Sequence, residues 1–129
     1  MKACLLTALL LASPAMAQDW SKGTPVTITM TNQGFVPQRI VLRQGRQYVI
    51  TFRNRSDRGH NFTARSFFDH ARVSPRDQAW VREDAVKLDA RQSATVHIVA
   101  PTTPNARYDF RSTRIEDAGE KMKGYILVR

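Results

Sequence analysis

Cysteine is all but missing. The one cysteine in 129 residues, Cys4, lies in an apolar run at the very start, and none follows it. Everything from residue 18 onward is therefore without thiolate metal ligands, disulfides, thiol redox chemistry, cysteine nucleophiles and iron–sulfur clusters. Acidic residues are also scarce, 11 against 20 lysines and arginines, for a formal net charge of +9. No run is apolar over the 18 or so residues a membrane helix needs. No HExxH, GxSxG or phosphate-loop pattern occurs, which leaves no enzymatic constellation of the common kinds. The arginines are not interleaved with a stacking platform of aromatics, and this argues against nucleic acid as a partner.

The first residues read as an address. Met1-Lys2 is a short basic start, Cys4 to Ala12 is mostly apolar, and Ala15-Met16-Ala17 has the small-residue spacing of a cleavage site. Residues 1–17 are expected to be a secretory signal peptide, cut near Ala17-Gln18, and residues 18–129 one domain. The implied location is periplasmic or secreted. Loss of Lys2 lowers the formal charge from +9 to +8. The excess lies in arginine (Arg39, Arg43, Arg46, Arg53, Arg55, Arg58, Arg65, Arg72 and Arg76 among them), which suits bidentate contact with carboxylates and phosphates. An acidic envelope protein or an anionic surface is the partner this charge implies; a merely solvated basic face is the plainer reading.

The domain reads as all-β. Val26, Ile28 and Met30 alternate with threonines. Ile40 and Leu42 face inward from Arg39 to Arg43, and Tyr48, Ile50 and Phe52 share one face of Arg46 to Asn54. His60 to Ala64, Val86 to Leu88, Ala94 to Ala100, Ala106 to Ser112 and Tyr125 to Val128 complete the strands. Asn32-Gln33-Gly34, Gln44-Gly45 and Asp89 to Ser93 are turns. Ser66 to Trp80 lacks the two-residue period and predicts a short helical segment. Tyr48, Ile50, Phe52, Val96, Ile98, Phe110 and Ile126 are the predicted core. Short strands at regular spacing point to a sandwich or barrel.

One stretch carries more than fold class. Phe35-x-Pro37-x-x-Ile40-x-Leu42-x-x-Gly45, then Tyr48-x-x-x-Phe52-x-Asn54, His60-Asn61-Phe62 and a C-terminal hairpin closing on Met122-x-Gly124, resemble in order and spacing the cupredoxins, the blue-copper proteins. The resemblance implies a Greek-key β-sandwich over about residues 24 to 129 with a short helical segment. It also implies a copper site of two histidines, a cysteine thiolate and an axial methionine. His60 stands at the first histidine position and Met122 at the methionine. Ser112 stands where the cysteine is called for, Asp117 where the second histidine is, and Arg114 where some relatives carry a further histidine.

A serine hydroxyl does not replace a thiolate as a copper ligand at neutral pH. The resemblance therefore implies a cupredoxin scaffold with a dismantled copper centre, serving as a binding or structural module. The alternative is a metal-handling protein for copper or iron, with His60, Asp117 and Met122, aided by Glu116, as a residual non-blue site; electron transfer comes last. No cofactor is expected, with copper as the alternative. Ser112, His60 and Asp117 also name a catalytic triad, but no oxyanion-hole motif accompanies them. Asp117, if buried, needs a cation, and Arg114 and Arg111 are its nearest arginines in sequence. An Arg–Asp clasp is expected there, with His60 bonded to Asp117 or Ser112. His97 is expected on the surface, and His70 in the helical segment flanking the site.

Overall fold

Alternation is realised as two stacked sheets. A computed structural model describes residues 18–119 and 122–129; the expected signal peptide lies outside the described residues. Among the described residues ten strands form: β1 (Thr24–Thr31), β2 (Gly34–Val36), β3 (Arg39–Leu42), β4 (Gln47–Asn54), β5 (His60–Thr63), β6 (Arg72–Val73), β7 (Ala85–Leu88), β8 (Ser93–Val99), β9 (Ala106–Arg111) and β10 (Lys123–Val128). They form two five-stranded sheets, one in the order β2-β1-β4-β8-β6 and the other β3-β10-β9-β5-β7. The chain passes repeatedly from one sheet to the other. β1 runs parallel to β4 and β3 parallel to β10, while the remaining pairs are antiparallel. Gly45 turns the chain from β3 into β4 at φ +66, a conformation that a side chain would strain.

Each strand with a two-residue period buries the expected face. All seven predicted core residues are buried, in one cluster with Ile28, Met30, Phe35, Phe62, Phe67, Val86 and Val128. Phe62 is its hub. Its ring centroid lies 4.5 Å from Phe110, 5.0 Å from Phe52, 5.8 Å from Phe35 and 6.1 Å from Phe68. Edge-to-face and tilted packing of this kind adds to the area buried. Gly124, second after Met122, is required by closeness: a Cβ there would run into the Gln38 carbonyl and the Phe110 ring.

The irregular middle resolves into a six-residue helix α1 (Arg65–His70), the two-residue strand β6 and a 3-10 turn over Pro75–Asp77. α1 buries Phe67 and Phe68, and Pro75 starts the turn. Two short strands, β2 and β6, escaped the reading by period, which needs more residues than either has. His97 is a correction. It is not a surface histidine; it is largely covered, with Nδ1 2.8 Å from Asp77 Oδ2, while its backbone N–H donates to the same oxygen at 2.9 Å. The 3-10 turn brings Asp77 onto the outer side of β8, a contact no strand period encodes.

Truncating the hub measures the aromatic core. Phe62→Ala should lower unfolding free energy by about 3–5 kcal/mol, as for a fully buried phenylalanine, read by chemical denaturation. A loss under about 1 kcal/mol would show that the cluster does not hold the sheets together.

Candidate functional site

The end of the sandwich is built from three loops and one strand start. The turn after β4 comes first. Asn54, buried, donates from Nδ2 to the Arg58 carbonyl at 2.8 Å and the Asp89 carbonyl at 3.0 Å. Its Oδ1 accepts from the Ser56 N–H at 3.0 Å and the Ser56 hydroxyl at 2.7 Å. This knot fixes the path of residues 54 to 58 and so the point from which Arg58 extends. His60 follows at the start of β5, on the same side as Phe62, and is 1 % exposed.

β5 meets β9 through one register pair, Thr63 with Arg111. Beyond it the side chain of Asn61 takes over. Its Oδ1 accepts from the Thr113 N–H at 3.0 Å, and its Nδ2 donates to Thr113 Oγ1 at 3.1 Å. Ser112 is held there, buried, with its N–H on the Met122 carbonyl at 2.9 Å. The following loop makes a 3-10 turn over Ile115–Asp117, which points Ile115 into solvent and Asp117 inward at 4 % exposure.

Asp117 is where these elements converge. Its Oδ2 accepts from Ser112 Oγ at 2.6 Å and faces His60 Nδ1 at 2.5 Å, and its Oδ1 accepts from Arg58 Nη2 at 2.7 Å. His60 Nε2 in turn faces Asn32 Oδ1 at 3.0 Å. The orientation of that amide is set by its Nδ2, which donates to Asp57 Oδ1 at 2.9 Å. Each imidazole nitrogen therefore has an oxygen acceptor before it, and a doubly protonated ring satisfies both. Burial pushes the Asp117 carboxyl up. The hydrogen bonds from Ser112, His60 and Arg58, with the charge of His60, outweigh it and hold the group below its ordinary value of 3.8.

The sequence positions that resemblance singled out are thus brought together: His60, Ser112 and Asp117 touch, and Met122 is buried at 4 % exposure with its backbone closing the loop. The expected clasp between Asp117 and an arginine is present, but the arginine is Arg58. Arg114, three residues from Asp117, lies instead 3.6 Å from Glu116, both half exposed, and passes close to Gly59. The 3-10 turn explains this, since it sends Arg114 and Glu116 outward as it sends Asp117 in. Arg111 points to the outer face of its sheet. Glu116 is accordingly not a second carboxylate for a cation at this site. His70 bonds from Nδ1 to the Ser66 carbonyl at 2.7 Å and packs on Tyr108, within its own helix region.

A copper ion of the type the resemblance implies would need donor atoms that are already engaged. Both nitrogens of His60 face acceptors, Asp117 takes three hydrogen bonds, and Ser112 supplies a hydroxyl in place of a thiolate. Among the described residues no three His, Cys, Asp or Glu side chains converge as a metal-holding group. The residues present do not fit a type 1 copper site. Nor is the trio a hydrolytic triad. There the histidine stands between serine and carboxylate; here the carboxylate stands between serine and histidine, so the hydroxyl meets no imidazole.

Three comparisons bear on this site. The family model for the cupredoxin-like domain matches residues 2–128. Among solved structures, the dithionite-reduced auracyanin of Roseiflexus castenholzii is 19% identical, with a TM-score of 0.60 over 83% of this chain and 98% of that one. Auracyanin A of Chloroflexus aurantiacus, a blue copper protein, is 17% identical at a TM-score of 0.53, over 81% of this chain and 99% of its own. The McoA multicopper oxidase of Aquifex aeolicus aligns at 14% identity and a TM-score of 0.61, over 87% of this chain and 30% of the oxidase. At these identities the likeness is one of fold. No curated protein matches the chain in sequence.

The clasp yields two expectations. Asp117→Ala should cost about 3–5 kcal/mol, because it strands a buried His60 and Ser112. Arg114→Ala should cost no more than about 1 kcal/mol, as for an exposed pair, and Asp117→Ala combined with His60→Ala should fall well short of the sum of the singles. Equal, small effects of Asp117 and Arg114 substitutions in denaturant titrations would refute the clasp. The pH dependence has a definite sign. A carboxyl held below its ordinary value contributes stability in full above that value, and loses it as pH falls through 3.8 and below. Wild-type stability should therefore drop more steeply in that acid range than stability of Asp117→Asn. Parallel curves would contradict the assignment.

Proposed function

This chain belongs to the cupredoxin-like domain family, and on that premise we propose that it is an exported binding or structural module in which a hydrogen-bonded carboxylate clasp stands where a blue-copper centre would be. The carrying observation is the engagement of the donors: Asp117 holds His60, Ser112 and Arg58 together, within 2.5 to 2.7 Å. A metal entering here would have to strip His60 from Asp117 or Asn32 and displace the Arg58 guanidinium, with no thiolate to offset the loss. The clasp links the same segments a metal would, the start of β5 and the loop before β10. It does so without redox chemistry, which supports a role other than electron transfer.

Export rests on the leader pattern of residues 1–17, and among the described residues no helix is long and apolar enough to cross a membrane. The Ser112 hydroxyl is bonded to a carboxylate rather than to an imidazole, an arrangement unlike a hydrolytic triad, which supports a non-enzymatic role. A basic, exported domain of this kind is suited to recognition, and its charge favours an acidic partner.

Purified, leader-free protein should carry no stoichiometric copper, iron or zinc by elemental analysis. Addition of Cu(II) should give none of the intense visible absorption that copper–thiolate bonding produces. Stoichiometric copper in the isolated protein, or a blue colour, would overturn the proposal. Ser112→Cys combined with Asp117→His restores a thiolate and a second histidine and should produce a coloured copper adduct, whereas Ser112→Cys alone should not.

A further inference from the structure

The two outer faces of the sandwich differ in charge. Outward on β1, β4 and β8 stand Thr27, Thr29, Thr51, Thr95 and their neighbours, with Arg53 as the cation of these three central strands and Arg72 on the edge strand β6. Outward on the other sheet stand Arg39, Arg107, Arg111, Lys123 and Lys87, against a single carboxylate, Asp109. A groove of about 890 Å³ runs over this second face, with Arg65, Arg107, Arg111, Lys123 and Tyr125 among its lining residues.

The register makes the arrangement costly for the isolated chain. Lys123 lies directly opposite Arg111 in the antiparallel β9–β10 pair, and like charges so placed destabilise a sheet. Among the described residues neither meets a carboxylate. Arg65 reaches Asp84 only at 3.9 Å, with its side chain 84% exposed. The other end is ordered. Arg107 stacks 4.1 Å over the Tyr125 ring and bonds Asp109 Oδ1 at 3.1 Å, which fixes its fork. One end of the groove is thus a cluster of cations in which Arg111 and Lys123 meet no carboxylate among the described residues, and the other a single presented guanidinium beside an aromatic face. Asp109 lies between Arg107 and Arg111 on β9.

We propose that this groove is the docking surface for an acidic, extended peptide segment of a partner protein, with carboxylates at positions i and i+4 and a neutral residue at i+2. The proposal rests on reading the chain as a binding module and says where and what it binds. Arg107 and Arg111 are four residues apart on one strand, about 13 Å. An extended peptide lying along β9 places its own i and i+4 side chains at the same spacing on one face. Arg111 and Lys123 take one carboxylate, Arg107 the other, and Asp109 between them rejects a negative charge at i+2. Arginine and tyrosine are the side chains that dominate protein interfaces, and an arginine fork fits a carboxylate by two hydrogen bonds. A bilayer is a poorer match, since a planar surface meets the rim of a groove rather than its floor.

Fluorescence anisotropy with short labelled peptides tests this at low and physiological salt. A peptide with glutamates at i and i+4 and serine at i+2 should bind the leader-free protein. The same composition with glutamates at i and i+3, on opposite faces of a strand, should bind several-fold more weakly. Arg111→Glu with Lys123→Glu should weaken the first peptide by about tenfold or more, while Arg53→Glu with Arg91→Glu should leave it within about twofold; circular dichroism confirms that both variants fold. Equal losses in both variants, no preference between the peptides, or tighter binding of anionic vesicles or single-stranded DNA through Arg111 and Lys123 would overturn the proposal. Binding of the acidic peptide through Arg53 and Arg91 would move the surface and leave the binding-module reading standing. No binding to any anion, together with bound stoichiometric copper, would remove both.

Discussion

A buried carboxylate with three donors organises this end of the molecule. Asp117 on its own would be too costly to bury, because transfer of a charge out of water is tolerated only when the charge is paired and hydrogen-bonded. Here each donor comes from a different piece of chain: Arg58 from the turn after β4, His60 from the start of β5 and Ser112 from the end of β9. Asn32, in the turn between β1 and β2, extends the network into the other sheet through His60 Nε2. Removal of Asp117 leaves His60 Nδ1 and Ser112 Oγ buried without a partner, so the carboxylate ties these segments together. The Asn54 knot beneath Arg58 and the Asn61–Thr113 bridge are supports of the same kind, amides that stand in where backbone pairing stops.

This arrangement resembles a metal site in connectivity and differs from one in chemistry. A metal draws lone pairs from several ligands toward one cation. The clasp draws protons from several donors toward one anion. The positive charge of Arg58 and the donors that face Asp117 are complementary to its carboxylate and opposed to a copper ion, so the two states of the site exclude each other. Fold likeness to auracyanins therefore does not carry blue-copper chemistry with it.

Much of this was legible in the chain. The strands of β1, β4, β8, β9 and β10 declare themselves by alternation, and the core follows because a two-residue period assigns each side chain a face. Spacing against Met122-x-Gly124 located Ser112 and Asp117, and His60-Asn61-Phe62 located the histidine. Sequence nearness points to Arg114 as the partner of Asp117, and the fold places Arg58 there instead. Arg114 is three residues from Asp117, but the 3-10 turn parts them. Arg58 is 59 positions away, and one signal pointed to it: it precedes His60 by two, the spacing that puts two side chains on the same side of an extended chain. Gly59 between them leaves room for Arg114 to pass. His97 was misread for a related reason, since the partner that covers it, Asp77, sits on a turn whose path alternation does not encode. The net charge gives the sign of the surface but not the face that carries it; only the register of β9 against β10 shows that Arg111 and Lys123 stand together.

The clasp in place of copper is most directly tested at the imidazole of His60. Nitrogen-15 and proton NMR of histidine-labelled, leader-free protein should show a proton on His60 Nδ1 in a short hydrogen bond to Asp117, and one on Nε2 facing Asn32. Both should remain unchanged when one equivalent of diamagnetic Zn(II) or Cu(I) is added. Loss of the Nδ1 proton on metal addition, with a metal-shifted nitrogen resonance at His60, would show that the site still exchanges its clasp for an ion, and would contradict the account.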